Sequence, residues 1–144
     1  MRAQAPFSSC QQLVALSVEH NTFNGVIPPA LFVNPMLHFI SLEHNLLSGT
    51  IPDEIGRATC LQKAWLGNNK LEGSIPQTLK SCRMLHSFGV EHNNLSGIFE
   101  SKSLRESCPL LVEVVLEGNN LAYPEAVESA EENEFWRRRS SAAI

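Results

Sequence analysis

The sequence predicts an α/β repeat solenoid of about five coils, each adding one strand to a parallel sheet. Two observations predict it. An asparagine recurs at fixed intervals, and a short alternating apolar pattern precedes each one. Asn21, Asn45, Asn69 and Asn93 lie 24 residues apart, and Asn119 follows after 26. The aligned units are LVALSVEHNTFNGVIP from Leu13, LHFISLEHNLLSGTIP from Leu37, LQKAWLGNNKLEGSIP from Leu61, LHSFGVEHNNLSGIFE from Leu85 and LVEVVLEGNNLAYPEA from Leu111. Self-similarity at such a period is the mark of stacked supersecondary units.

Within each unit the apolar residues alternate as a short half-buried strand requires, one set inward and the intervening set outward. A 24-residue return is long enough to cross over to the next parallel strand, and no unit buries its apolar side alone. Stacking follows, with an inward column of Leu13, Leu16, Val18 and Phe23, then Leu37, Ile40, Leu42 and Leu47. The third and fourth units contribute Leu61, Ala64, Leu66 and Leu71, then Leu85, Phe88, Val90 and Leu95.

The recurring asparagine interrupts this column. A buried amide without partners costs about 1–3 kcal/mol. With two N–H donors and a carbonyl acceptor, Asn can bond backbone groups of its own coil and the neighbouring one. Asn21, Asn45, Asn69, Asn93 and Asn119 are therefore expected to form a structural ladder.

After the ladder come Gly25, Ile27 and Pro28, then Gly49, Ile51 and Pro52, then Gly73, Ile75 and Pro76. Glycine permits a sharp bend, and proline ends the extended segment. The complete pattern, L-x-x-L-x-L-x-x-N-x-L-x-G-x-I-P, resembles the plant-type leucine-rich repeat of receptor-like kinases, receptor-like proteins and polygalacturonase-inhibiting proteins. The resemblance covers about four-fifths of the chain. It implies a right-handed superhelix with a concave parallel sheet, and short second strands or 3₁₀ turns elsewhere.

Three segments are expected: an N-terminal segment over 1–9, five repeats over 10–126, and a C-terminal helix and tail over 127–144. The helix reading starts at Pro124, with glutamates early and Arg137, Arg138 and Arg139 late, as the helix dipole favours. The fourth unit departs from the pattern at Ile98, Phe99 and Glu100. The fifth has Tyr123 in place of glycine, and two extra residues fall near Ser107, Cys108 and Pro109. Solenoid ends need polar caps, and the resemblance implies cysteine-paired ones. Neither end shows such a pair.

Cys10, Cys82 and Cys108 each stand three residues before the first Leu of a unit, and Cys60 stands directly before Leu61. Small thiols suit this slot as packing groups. Cys82 and Cys108 occupy adjacent coils, which leaves pairing geometrically open. No C-x-x-C or H-x-x-x-H spacing points to a metal, and no cofactor is expected.

The chain has 144 residues, 43% hydrophobic and 18% charged, with a formal net charge of −4. That charge gives no general attraction to nucleic acid or to an anionic membrane. No apolar run nears the ~20 residues of a membrane span, and MRAQAPFSSCQQLVAL is too polar for a secretory signal. An extracellular place is implied by the resemblance alone.

Function must lie on the outward positions of the sheet, where strands ~4.8 Å apart align like positions into columns. They are Ala15, Phe39, Lys63, Ser87 and Glu113; Ser17, Ser41, Trp65, Gly89 and Val115; Glu19, Glu43, Gly67, Glu91 and Glu117; and His20, His44, Asn68, His92 and Gly118. Neighbouring carboxylates repel by about 0.8 kcal/mol in water and about 3 kcal/mol at an effective dielectric of ~20. A cationic partner would relieve this repulsion. Exposed aromatics on a rigid sheet are the residue types of binding hot spots. Glu19, His20, Phe39, Glu43, His44, Lys63, Trp65, Glu91, His92, Val115 and Glu117 are thus the expected partner-binding residues. A duplicated, solvated strand end is the plainer reading of the Glu-His words.

The sequence carries no G-x-S-x-G, P-loop, G-x-G-x-x-G or H-E-x-x-H word, and an open sheet lacks the enclosed pocket that acid–base chemistry needs. A non-enzymatic recognition module for a protein or peptide, basic or amphipathic, is the leading expectation. The resemblance also implies a polygalacturonase-type inhibitor as an alternative. A third is an assembly role in which the uncapped first coil docks end to end. Asn94 heads the single N-glycosylation sequon, Asn94-Leu95-Ser96.

Overall fold

The protein is described from a computed structural model covering residues 12–123. The expected N-terminal segment, Cys10 and the helix expected from Pro124 lie outside these residues, as does the end of the fifth unit.

Each predicted unit supplies a three-residue strand to one parallel sheet. These are β1 (Ala15–Ser17), β3 (Phe39–Ser41), β5 (Lys63–Trp65), β7 (Ser87–Gly89) and β9 (Glu113–Val115), joined in the order β1-β3-β5-β7-β9. The register matches the predicted columns residue for residue: Ser17 pairs with Ser41, Ser41 with Trp65, Trp65 with Gly89 and Gly89 with Val115. Shorter second strands follow the ladder asparagines. β2 (Asn24–Val26) pairs with β4 (Leu46–Ser48), while β6 (Glu72–Gly73), β8 (Asn94–Ile98) and β10 (Asn120–Ala122) form a separate parallel set.

The returns are 3₁₀ turns at Pro29–Val33, Asp53–Arg57 and Gln77–Ser81. The fourth return differs. It is the α-helix α1 (Ser101–Ser107), whose seven residues absorb the two extra positions of that unit. Phe99 stands where the other units have isoleucine and is buried at 4% exposure, while Glu100 stands where they have proline.

The core is the expected apolar column, with Leu37, Ile40, Leu61, Ala64, Leu66, Leu71, Leu85, Phe88, Val90 and Leu95 fully buried. Burial of one such side chain stabilises by about 1.5–3 kcal/mol relative to exposure. The first coil is the exception. Phe23, expected inward, is 53% exposed, because no described residue packs ahead of its coil. Leu13, Leu16 and Val18 are partly buried and pack against the cluster from that end.

Four of the five recurring asparagines bond across coils, whereas among the described residues the bonds of Asn21 stay within its own coil. Asn69 shows the full pattern: Nδ2 donates to the carbonyls of Leu66 and Gly67 in its own coil and of Leu42 in the coil before. Its Oδ1 accepts from the Leu47 amide at 3.0 Å. Asn45, Asn93 and Asn119 repeat it.

The cysteine slot is also structural. Asn34, Ala58, Cys82 and Cys108 occupy the same place in successive coils, and all four are buried. Asn34 donates to the Leu13 carbonyl and Cys82 to that of Ile55. Cys82 and Cys108 are free thiols. Burial pushes the Cys82 thiol up to about 12, with Cys108 adding to the shift.

Candidate recognition face

The strand positions between core residues all face the concave surface, yet they are not equally available. Lys63, Glu19 and Glu117 are exposed, and Phe39, Glu43, Trp65 and Glu91 are half-buried. Val115, expected among the contact residues, is only 5% exposed, and Ser41 and Ser87 are buried as well. Neighbours within the face cover them.

Glycines in the columns explain the covering. Gly89 has no side chain, and the Trp65 indole from the adjacent strand occupies the vacated space: a Cβ there would lie 2.8 Å from Trp65 Cζ3. Gly67 is filled in the same way by Glu91, whose Oε2 lies 2.7 Å from the corresponding Cβ position and 3.0 Å from that of Gly89. His92 covers Gly118. Trp65 and Glu91 therefore meet side by side at the middle of the sheet, over two glycines.

Across the Gly67 gap Glu91 faces Glu43 within hydrogen-bonding reach. Burial pushes the Glu91 carboxyl up, and the Glu43 charge pushes it further. Glu91 Oε2 is buried with no hydrogen-bond partner. The outer carboxylate Glu19 behaves oppositely. The Ser17 hydroxyl donates to it and, as the largest cause, lowers its titration point.

The histidine column is not part of the strands. His20, His44, Asn68 and His92 have φ between 53° and 57°, and Gly118 has 72°. These left-handed residues turn the chain off the sheet toward the ladder asparagines. Side chains on successive turns are aligned, and the His20 and His44 rings stack at 4.3 Å with 10° between planes.

One other polar group could suggest chemistry. Ser87 Oγ donates to Glu113 Oε2 at 3.2 Å and sits 2.9 Å from His86 Nδ1. The serine, not the histidine, is central, and Ser87 is 1% exposed. An activated nucleophile needs the reverse order and an open face. Among the described residues no cluster of three histidine, cysteine or acidic side chains has metal-holding geometry.

A family model described as Leucine Rich Repeat matches residues 36–58 and 60–82. No curated protein matches the chain. Among solved structures, that of PEPR1–AtPEP1 is similar at 32% identity and TM-score 0.75, covering 79% of this chain and 16% of that one. The ectodomain of the Arabidopsis thaliana receptor kinase GASSHO1/SCHENGEN3, in complex with CASPARIAN STRIP INTEGRITY FACTOR 2, is similar at 31% identity and TM-score 0.75. It is covered to 13%, against 79% of this chain. The plant peptide hormone receptor RGFR1, in complex with RGF2, has 27% identity and TM-score 0.65, with 80% of this chain and 22% of that one covered. The chain thus spans less than a quarter of the length of each of these three. Repeat sequence, coil geometry and these likenesses agree: the chain folds as a leucine-rich-repeat solenoid, similar to these plant receptor structures.

Proposed function

We propose that the chain is a protein-recognition module that binds a basic or amphipathic peptide segment on its concave sheet. The observation that carries this reading is the grouping of Trp65, Glu91 and Glu43 over Gly67 and Gly89. A half-buried indole offers a rigid apolar surface and a face for a cation, an interaction of about 0.5–2 kcal/mol. The adjoining carboxyls can accept the N–H groups of an arginine or lysine. Glu91 Oε2, already dehydrated and unpartnered, gains a donor on binding.

Flanking columns extend the strip. Phe39 and Lys63 lie on one side; Glu19 and Glu117, with the stacked His20 and His44, lie along the other. The rigid parallel sheet holds them with little ordering cost, which favours affinity. The similar receptors whose names record complexes with AtPEP1, CASPARIAN STRIP INTEGRITY FACTOR 2 and RGF2 support a peptide or protein partner here.

The test is an array of extended peptides varied in arginine, lysine and aromatic content, probed with the native protein, Trp65→Ala and Glu43→Gln. Retention of basic peptides by the native protein, and its loss in both variants, is expected. Equal retention by all three proteins contradicts the proposal.

A further inference from the structure

β5 is the middle strand of the five-stranded sheet, so a coil added at either end stacks on β1 or β9 and leaves the outward side chains of β5 facing the groove. Two of these side chains, Lys63 and Trp65, flank the buried Ala64 and are incomplete in opposite senses. Lys63 is exposed and has no ion-pair partner; among the described residues the ion pair is that of Lys80 with Glu100. Its register neighbours, Phe39 on β3 and Ser87 on β7, are uncharged. Glu113, the acid of the same column, already accepts the Ser87 hydroxyl.

Beside Trp65 the charge is reversed. A Cβ on Gly89 would lie 2.8 Å from Trp65 Cζ3 and 3.0 Å from Glu91 Oε2, so indole and carboxyl meet over one glycine. Glu91 Oε2 is buried without a hydrogen-bond partner, and Glu43 reaches the same carboxyl from the other side of Gly67. A guanidinium suits this place better than an ammonium. It is planar and weakly hydrated, and it stacks on an indole while its N–H groups still fork toward carboxyls; an ammonium is a compact, strongly hydrated point charge. The two places also stand a matched distance apart. Residues i and i+2 of an extended chain project to one side about 6.6–6.8 Å from each other. That spacing holds for Lys63 and Trp65, and equally for an extended segment laid along them.

Resting on the recognition reading above, we propose that the partner segment carries an arginine and a carboxylate two residues apart, the arginine seated on Trp65 against Glu91 and Glu43 and the carboxylate on Lys63. The face then reads an ordered pair of opposite charges rather than positive charge alone. Attraction by net charge predicts the reverse ranking, because an acidic column favours the peptide that has no carboxylate.

Fluorescence anisotropy of labelled peptides with blocked ends, identical apart from the words Arg-x-Glu, Glu-x-Arg, Arg-x-Gln, Gln-x-Arg, Lys-x-Glu, Glu-x-Lys and Arg-x-Lys, provides the test on the full chain. The better of the two Arg and Glu orders is expected to bind about fivefold tighter than its glutamine counterpart, and about fivefold tighter than its lysine counterpart. Lys63→Glu, a change at an exposed side chain, should reverse the first preference and bind Arg-x-Lys best. Trp65→Leu should bind the arginine and lysine peptides alike. Circular dichroism confirms that both variants fold, and if Trp65→Leu does not, the Lys63→Glu reversal decides. Tightest binding of Arg-x-Gln or Arg-x-Lys to the native protein overturns this inference and leaves the recognition reading standing. Binding of none of the peptides contradicts both.

Discussion

The Glu91 carboxyl lies across Gly67, in the space a side chain at that position would fill. A glycine in one coil thus permits two carboxyls from flanking coils to meet, and it fixes where the acidic column is deepest. Gly67→Ala, whose Cβ would fall 2.7 Å from Glu91 Oε2, should drive Glu91 outward. The expected result is a Glu91 carboxyl that titrates nearer the ordinary glutamate value, read from its side-chain carbon resonance. An unchanged titration would mean that the two carboxyls do not depend on the gap.

Glu91 also ties stability to pH. Its folded-state titration point is raised, chiefly by burial and then by Glu43, while His92 opposes the shift. The folded state therefore holds the proton more tightly than the unfolded state, whose value is ~4.3. Stability from this group is present at acid pH and is lost as pH rises from that value through the folded one. Glu91→Gln should flatten this part of the stability–pH curve, measured by chemical denaturation across mildly acidic pH.

The ladder makes a contrasting pair. Asn69→Ala removes three donated bonds and strands the Leu47 amide, and a loss of about 3 kcal/mol is expected. Asn21→Ala removes two bonds at an exposed position, and its loss should stay under about 1 kcal/mol. Equal losses in urea denaturation would show that the cross-coil bonds do not carry the difference.

His44 sits at φ 55° and is exposed. Glycine tolerates that conformation and a β-branched residue does not. His44→Gly should be neutral or stabilising, and His44→Val destabilising by about 1–2 kcal/mol, as thermal denaturation would show. A neutral valine variant would place the histidine column back on extended strands.

The fold was legible in the sequence because the asparagine spacing and apolar alternation repeat without conflict. The concave columns followed from that register, down to Trp65 beside Gly89. Two features escaped it. Periodicity gives direction but not burial, so Phe23 reads like Leu47 although, among the described residues, only Leu47 has a coil on each side. The histidines read as the ends of strands. Their shared column with Asn68 and Gly118, residue types that accept a left-handed backbone, was the available signal. Glu91 leaning over Gly67 was foreshadowed only by the missing carboxylate in an otherwise acidic column.

Recognition through the concave face is tested most directly by calorimetry with the basic peptide that the array retains best. Trp65→Ala and Glu43→Gln should each weaken binding at least tenfold. Asp53→Asn with Glu54→Gln, a change on the 3₁₀ turn away from the sheet, should leave it unaltered. Equal affinity across all four proteins, or a loss confined to the Asp53 and Glu54 variant, would contradict the account.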